Sequence, residues 1–170
     1  MTDAIDILRL DHDAVVKLLT KLQDSRPGHL RNAGVATVSE LLSSHMAVEE
    51  ATIHPLIQDT RGTDATASHD SDHDLTRNCI ATLNNAINIP AFPLVVEFML
   101  RSLNQHIGEE EIRTLPALKQ SVGAVRWGLL TDEVWEARNA APTLLPVGSM
   151  IRRLDRRVSL STLGRPTYVV

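Results

Sequence analysis

Two segments of this chain carry the same pattern of ionisable residues, and that repetition limits the fold more than any other feature. Residues 45–55 read His-Met-Ala-Val-Glu-Glu-Ala-Thr-Ile-His-Pro and residues 106–116 read His-Ile-Gly-Glu-Glu-Glu-Ile-Arg-Thr-Leu-Pro, both H-x3-E-E-x4-P. Upstream, Asp11-His12-Asp13 returns as Asp72-His73-Asp74, and every match stands 61 positions from its counterpart, as His12 does from His73 and His45 from His106. A fixed-offset repeat of such groups within apolar stripes argues for a duplicated unit that builds one shared site, not for scattered surface groups.

The stripes have helical spacing. Ile5, Leu8, His12, Val15, Leu19 and Leu22 recur at steps of three and four, which predicts an amphipathic helix over Asp3–Gln23 capped by Thr2 or Asp3. A second helix over Leu30–Pro55 carries Val35, Val38, Leu42, His45, Val48 and Glu49 on one face, with Pro55 bending or ending it and Gln58–Thr63 forming a loop. The third, Asp64–Asn88, places His69 and His73 one turn apart beside Thr76, Ile80 and Leu83. The fourth, Phe92–Leu118, lines up Val95, Val96, Met99, Leu103, His106 and Glu110, and Pro116 closes it. Four helices on short connections predict an all-α, up-down-up-down four-helix bundle over residues 1–120.

Residues 121–170 read as a helical and irregular extension packed on that bundle. Gly123 and Gly128 loosen the chain, Thr131–Arg138 suggests a short capped helix, and Trp127 and Trp135 are the expected anchors. From Ser121 onward seven Arg and Lys meet four Asp and Glu, so this part is basic on a chain of net charge −4. A basic tail folded back on an acidic bundle is the simpler reading; docking of a protein partner at Arg152–Arg157 is the other. An oligomer stays open. The mild acidic charge speaks against nucleic acid, and no stretch approaches the roughly 20 apolar residues of a membrane span. The acidic start without an apolar leader region leaves the cytoplasm as the expected compartment. Cys79 is the only cysteine, which excludes an intramolecular disulfide or a thiolate cluster.

His12, His45, His69, His73 and His106 all fall on inner faces, accompanied by Glu49 and by Glu110 or Glu111. One histidine on an apolar stripe is usually a hydrogen-bonded core residue. Five with two carboxylates, most of them repeated, would need a dense mutual network or strongly displaced pKa values, and a metal centre removes that difficulty. Imidazole and carboxylate without thiolate suit iron, manganese or zinc. Seven ligands exceed what one zinc takes, and bridging carboxylates inside a bundle favour a dinuclear iron site. Glu50 and Glu109 read as residues behind the ligands or in solvent, and His29 and His54 as surface residues.

Helices carrying H, H-x3-E, H-x3-H and H-x4-E in that order resemble hemerythrin and the hemerythrin-like HHE cation-binding proteins, bacterial single-domain members among them, over about Asp3 to Leu118. The ferritin-like signature, Glu-x-x-His, runs the other way. The resemblance implies an oxo- or hydroxo-bridged non-haem diiron centre with His12, His45, Glu49, His69, His73 and His106 as ligands. For the second bridging carboxylate the internal repeat points to Glu110, the counterpart of Glu49, whereas the spacing of the family's oxygen carriers points to Glu111. Both remain candidates, with Glu111 preferred because the His69–His73 pair also follows the carrier pattern. Two six-coordinate irons need about twelve bonds; the bridges and five histidines leave one position for O2, hydrogen peroxide or nitric oxide.

Three functions follow. One is catalase-like or peroxidase-like removal of hydrogen peroxide, favoured by the extension and by the likeness to single-domain members, with Glu50, Glu109 or the unused member of Glu110 and Glu111 as the acid–base group. The second is reversible binding of O2 or nitric oxide in carriage, storage or sensing, for which Leu8, Val15, Leu103 and Ile107 are the expected apolar lining. In the third, iron is structural and the tail meets a partner.

Overall fold

A computed structural model of the chain describes residues 3–140, and among these all regular structure is helical. Helix α1 spans Ala4–Gln23, α2 His29–Arg61, α3 Thr63–Ala86 and α4 Phe92–Glu109. A π-helical turn, Glu110–Thr114, then leads into α5, Leu115–Ala140. Helices α1 to α4 pack around a square, each against its chain neighbour and α4 back against α1. This is the expected up-down-up-down bundle.

Local chemistry sets the boundaries. Asp3 caps α1: the Ile5 N–H donates to its carboxylate at 3.1 Å, and its own N–H donates to Asp6 at 3.3 Å. Helix α2 does not stop at Pro55. The ring removes one backbone bond, but Leu56 and Ile57 bury themselves in the core just beyond it, and the helix runs on to Arg61. The expected loop shrinks to Gly62, whose φ of 86° reverses the chain. Nor does Pro116 close the fourth helix: it stands in the first turn of α5, after the π turn. Thr131–Arg138 is no separate short helix but part of α5, which breaks instead at Gly123 (φ 74°, ψ 170°).

Past Gly123, α5 turns back along the bundle. Trp127 is 4% exposed and its indole N–H donates to Asp3 at 2.8 Å, Thr131 accepts from the Ala4 N–H at 3.2 Å, and Arg138 forks onto Asp11 at 2.7–3.1 Å. Trp135, the other expected anchor, is 51% exposed and packs on nothing comparable. Residues 141–170, with the Arg152–Arg157 cluster, lie outside the described residues.

The interior has three storeys. At one end Val15, Leu18, Leu19, Val38, Leu42, Leu83, Phe92, Val96 and Met99 form an apolar core. At the other, Ala4, Ile7, Leu8, Ile53, Ile57, Leu115, Leu118, Trp127, Leu130 and Val134 form a second. Between them lies a buried polar layer: His12, His45, Glu49, His73 and Glu110.

Candidate metal centre

Every rod of the bundle delivers side chains to this layer: His12 from α1, His45 and Glu49 from α2, His73 from α3, His106 from α4, and Glu110 from the π turn. Donor atoms of His12, His45, Glu49 and Glu110 all lie within 4.8 Å of one another, and those of Glu49, His73 and His106 form a second such group. Glu49 belongs to both. Its Oε1 is 2.9 Å from His45 Nε2 and its Oε2 is 3.0 Å from His73 Nε2. Glu110 Oε2 spans the same gap, 3.3 Å from His12 Nε2 and 3.9 Å from His106 Nε2. The two carboxylates are 1% and 2% exposed, so both are out of water.

The outward-facing nitrogens of His12 and His73 are tied to other carboxylates. His12 Nδ1–H donates to Glu111 Oε1 and His73 Nδ1–H to Glu50 Oε1, each at 2.8 Å. These two pairs are counterparts under the 61-residue offset, so the sequence repeat is also a repeat of contacts. His106 Nδ1 stands 3.5 Å from Asp72. Behind the carboxylates are arginines: Arg9 Nε donates to Glu111 at 2.9 Å, and Arg77 pairs with Glu50. A carboxylate on Nδ1 fixes the tautomer and leaves Nε2 bare toward the centre.

The charges in the layer are ill at ease alone. Burial works against a Glu49 charge, yet His45 and His73 hold its carboxyl well below the usual range. Burial and the neighbouring Glu49 push Glu110 up. Burial opposes protonation of His12, but the neighbouring carboxylates of Glu110 and Glu111 outweigh it and raise its pKa to about 9. His73 is raised against its burial by Glu49 and Glu50 in the same way. Three atoms here lack any hydrogen-bond partner: His45 Nδ1, Glu49 Oε1 and Glu110 Oε2. Glu49 Oε1 is close to His45 Nε2, but the angles are not those of a hydrogen bond. His12 Nε2 and His45 Nε2 face each other at 2.9 Å, two ring nitrogens converging on one point between carboxylates. Orphaned, convergent imidazole and carboxylate atoms are the donor set of a first-row divalent metal, and the residues present fit one.

Glu110 and Glu111 both lie on the π turn, and Glu110 is the one buried in the layer. Glu110, four residues beyond His106, faces the centre, while Glu111 sits a step further round the helix on His12 Nδ1. His69 is half-buried and belongs to neither group of converging atoms. His54, expected at the surface, is 6% exposed: its ring lies 4.7 Å from that of His73 and 5.8 Å from that of His69, and Asp70 accepts from its Nδ1–H at 2.9 Å. It sits on the buried face of α2, between Ile53 and Leu56. His29 is exposed, and so is Glu109, which pairs with Arg113 at 3.7 Å. Arg9, Arg77 and Asp70 were not legible as partners, because nothing in their spacing tells which neighbouring helix they meet.

Two spaces adjoin the layer. One is a tight apolar cavity of about 10 Å³, bounded by His12, His45, His73 and His106 and by Val15, Leu42, Met46, Leu103 and Ile107. Leu8, also expected there, is buried in the opposite core. The other is an open cleft of about 440 Å³ between α2 and α3, lined by Glu50, His54, Gln58, Asp70, Asp74 and Arg77 among others. No helix among the described residues is long and apolar enough to cross a membrane.

Comparison with known proteins gives one match. No curated protein and no solved structure matches the chain. The family described as the hemerythrin HHE cation binding domain matches residues 3–118, which takes in α1 to α4, the π turn and every residue of the polar layer. The chain belongs to the hemerythrin HHE cation-binding family.

Proposed function

We propose that the polar layer holds two iron ions and that the protein uses them to remove hydrogen peroxide. The observation that carries the metal reading is the convergence of four Nε2 atoms and two buried carboxylates, two of whose oxygens, Glu49 Oε1 and Glu110 Oε2, have no hydrogen-bond partner. His12 and His45 belong to one position. His73 and His106 belong to the other, completed by an imidazole from the corner where His54 and His69 meet. Glu49 and Glu110 reach both, with Glu110 taking the role left open between it and Glu111. Iron bound there supplies redox chemistry toward peroxide and O2 that no side chain in this layer has.

The chain's own groups do the rest. Glu111 and Glu50 hold the His12 and His73 rings in place through Nδ1, and Arg9 and Arg77 keep those carboxylates charged. The apolar storeys above and below exclude water from the layer. The cleft between α2 and α3 supports peroxide as the substrate: it is polar, open to solvent, and ends on Glu50, which touches His73 and can pass a proton. The small apolar cavity supports a second reading, reversible binding of O2 or nitric oxide, since it is lined by apolar side chains and bounded by the rings of His12, His45, His73 and His106.

Iron-loaded protein mixed anaerobically with hydrogen peroxide separates the two. Sustained O2 release, lost in Glu49→Gln, is the expected result. A visible band that forms with O2 and vanishes on deoxygenation, without peroxide turnover, would replace the first reading by the second. Failure to hold about two irons per chain removes both.

A further inference from the structure

The 61-residue repeat pairs the two halves of the site almost residue for residue, but it fails at one corner. In the half nearest α5, Leu8 and Leu115 are fully buried in the apolar core. Their counterparts in the other half are His69 and His54. One side of the layer is therefore sealed by leucines, and the other has two extra imidazoles, of which His54 lines the α2–α3 cleft. The position formed by Glu49, His73 and His106 offers only two imidazoles of its own.

We propose that His54, and not His69, supplies the third imidazole to that position. The assignment rests on the two-metal reading above. Three observations favour His54. It is buried where His69 is half-buried, and its ring lies next to His73. Its Nδ1–H is held by Asp70 at 2.9 Å, leaving Nε2 as the free donor. That is the arrangement of His12 on Glu111 and His73 on Glu50, both of which do face the centre. Neither ring belongs to the two groups of converging donor atoms, but among the described residues no carboxylate holds His69 as Asp70 holds His54. The H-x3-H spacing that singled out His69 puts it one turn before His73 on α3, where it is half-buried, whereas α2 presents His54 inward with its ring 4.7 Å from that of His73.

Titration of the metal-free full chain with Fe(II) under anaerobic conditions, and with Co(II) as a spectral probe, tests this. In His54→Gln the second metal equivalent should bind at least about tenfold more weakly, with an altered Co(II) ligand-field spectrum. His69→Gln should change neither affinity by more than about twofold. Asp70→Asn should weaken the second equivalent about tenfold with the ring intact. Asp70 is largely exposed, so this variant decides the matter even if His54→Gln does not fold. A loss confined to His69→Gln, equal losses in both histidine variants, or no loss in either would overturn the assignment. Wild-type protein that binds neither metal would instead sink the two-metal reading on which it stands.

Discussion

Raising the pH on the metal-free protein should destabilise it, and the magnitude can be worked from His12. Its pKa is about 9 in the folded chain against 6.5 for the free side chain, because Glu110 and Glu111 stabilise the imidazolium more than burial opposes it. A raised folded pKa contributes stability that is whole below 6.5 and is lost as pH climbs through 9. The difference is worth about 3 kcal/mol. His73 and Glu110, also raised, push in the same direction. His54 and His69 are depressed, chiefly by burial, and their opposite contribution is confined to pH below 6.5. For a chain of this size 1 kcal/mol moves Tm by about 2–4 °C, so thermal unfolding followed by circular dichroism in the presence of a chelator should fall by about 6–12 °C between pH 6.5 and 9. His12→Gln should flatten that slope. Iron-loaded protein should show no such fall, because metal and proton compete for the same nitrogens and alkali favours the metal. A metal-free Tm that is level or rising across this window would refute the reasoning.

Three further outcomes are expected. Glu49→Gln should abolish binding of both metals, since its two oxygens serve both groups, whereas Glu111→Gln should weaken binding only about tenfold by loosening the His12 ring; metal analysis after gel filtration distinguishes them. Trp127→Ala should cost about 3–5 kcal/mol in urea unfolding, and Trp135→Ala no more than about 0.5 kcal/mol, because only the first is buried. Gly123→Ala should cost about 1–3 kcal/mol from the backbone alone, since a Cβ there meets nothing within 4 Å but φ is 74°.

The bundle and most of the layer were readable because they depend on period. Steps of three and four put His12, His45, Glu49, His73 and His106 on inner faces, and the repeat showed that they belong together. What period cannot reveal is where a helix resists its own breakers. Pro55 argued for a stop, but Leu56 and Ile57 had an apolar core to enter, and that burial outweighed one lost hydrogen bond. His54 was misjudged as a surface residue because it falls outside the apolar stripe read for this helix, although the packing of α3 against α2 covers it. Glu110 and Glu111 stand at i+4 and i+5 from His106, both about one turn on, so spacing alone does not say that the first meets His12 Nε2 and the second its Nδ1. The contacts of Arg9 with Glu111 and of Arg138 with Asp11 join residues more than 95 positions apart, a distance over which only the folded topology decides.

The stacking of two cores around a waist bears on how the molecule comes apart. Helices α1 and α2, and the α4–α5 rod, each anchor in both cores and act as through-bolts. Helix α3 does not: none of its fully buried residues precedes His73, and below that point only Ala65 touches the second core. Residues 63–72 are thus the one quarter of the bundle held from a single end, and their amide hydrogens should exchange first. Metal on His73 would act there as a rivet, converting the loosest segment into one whose opening requires the centre to be dismantled.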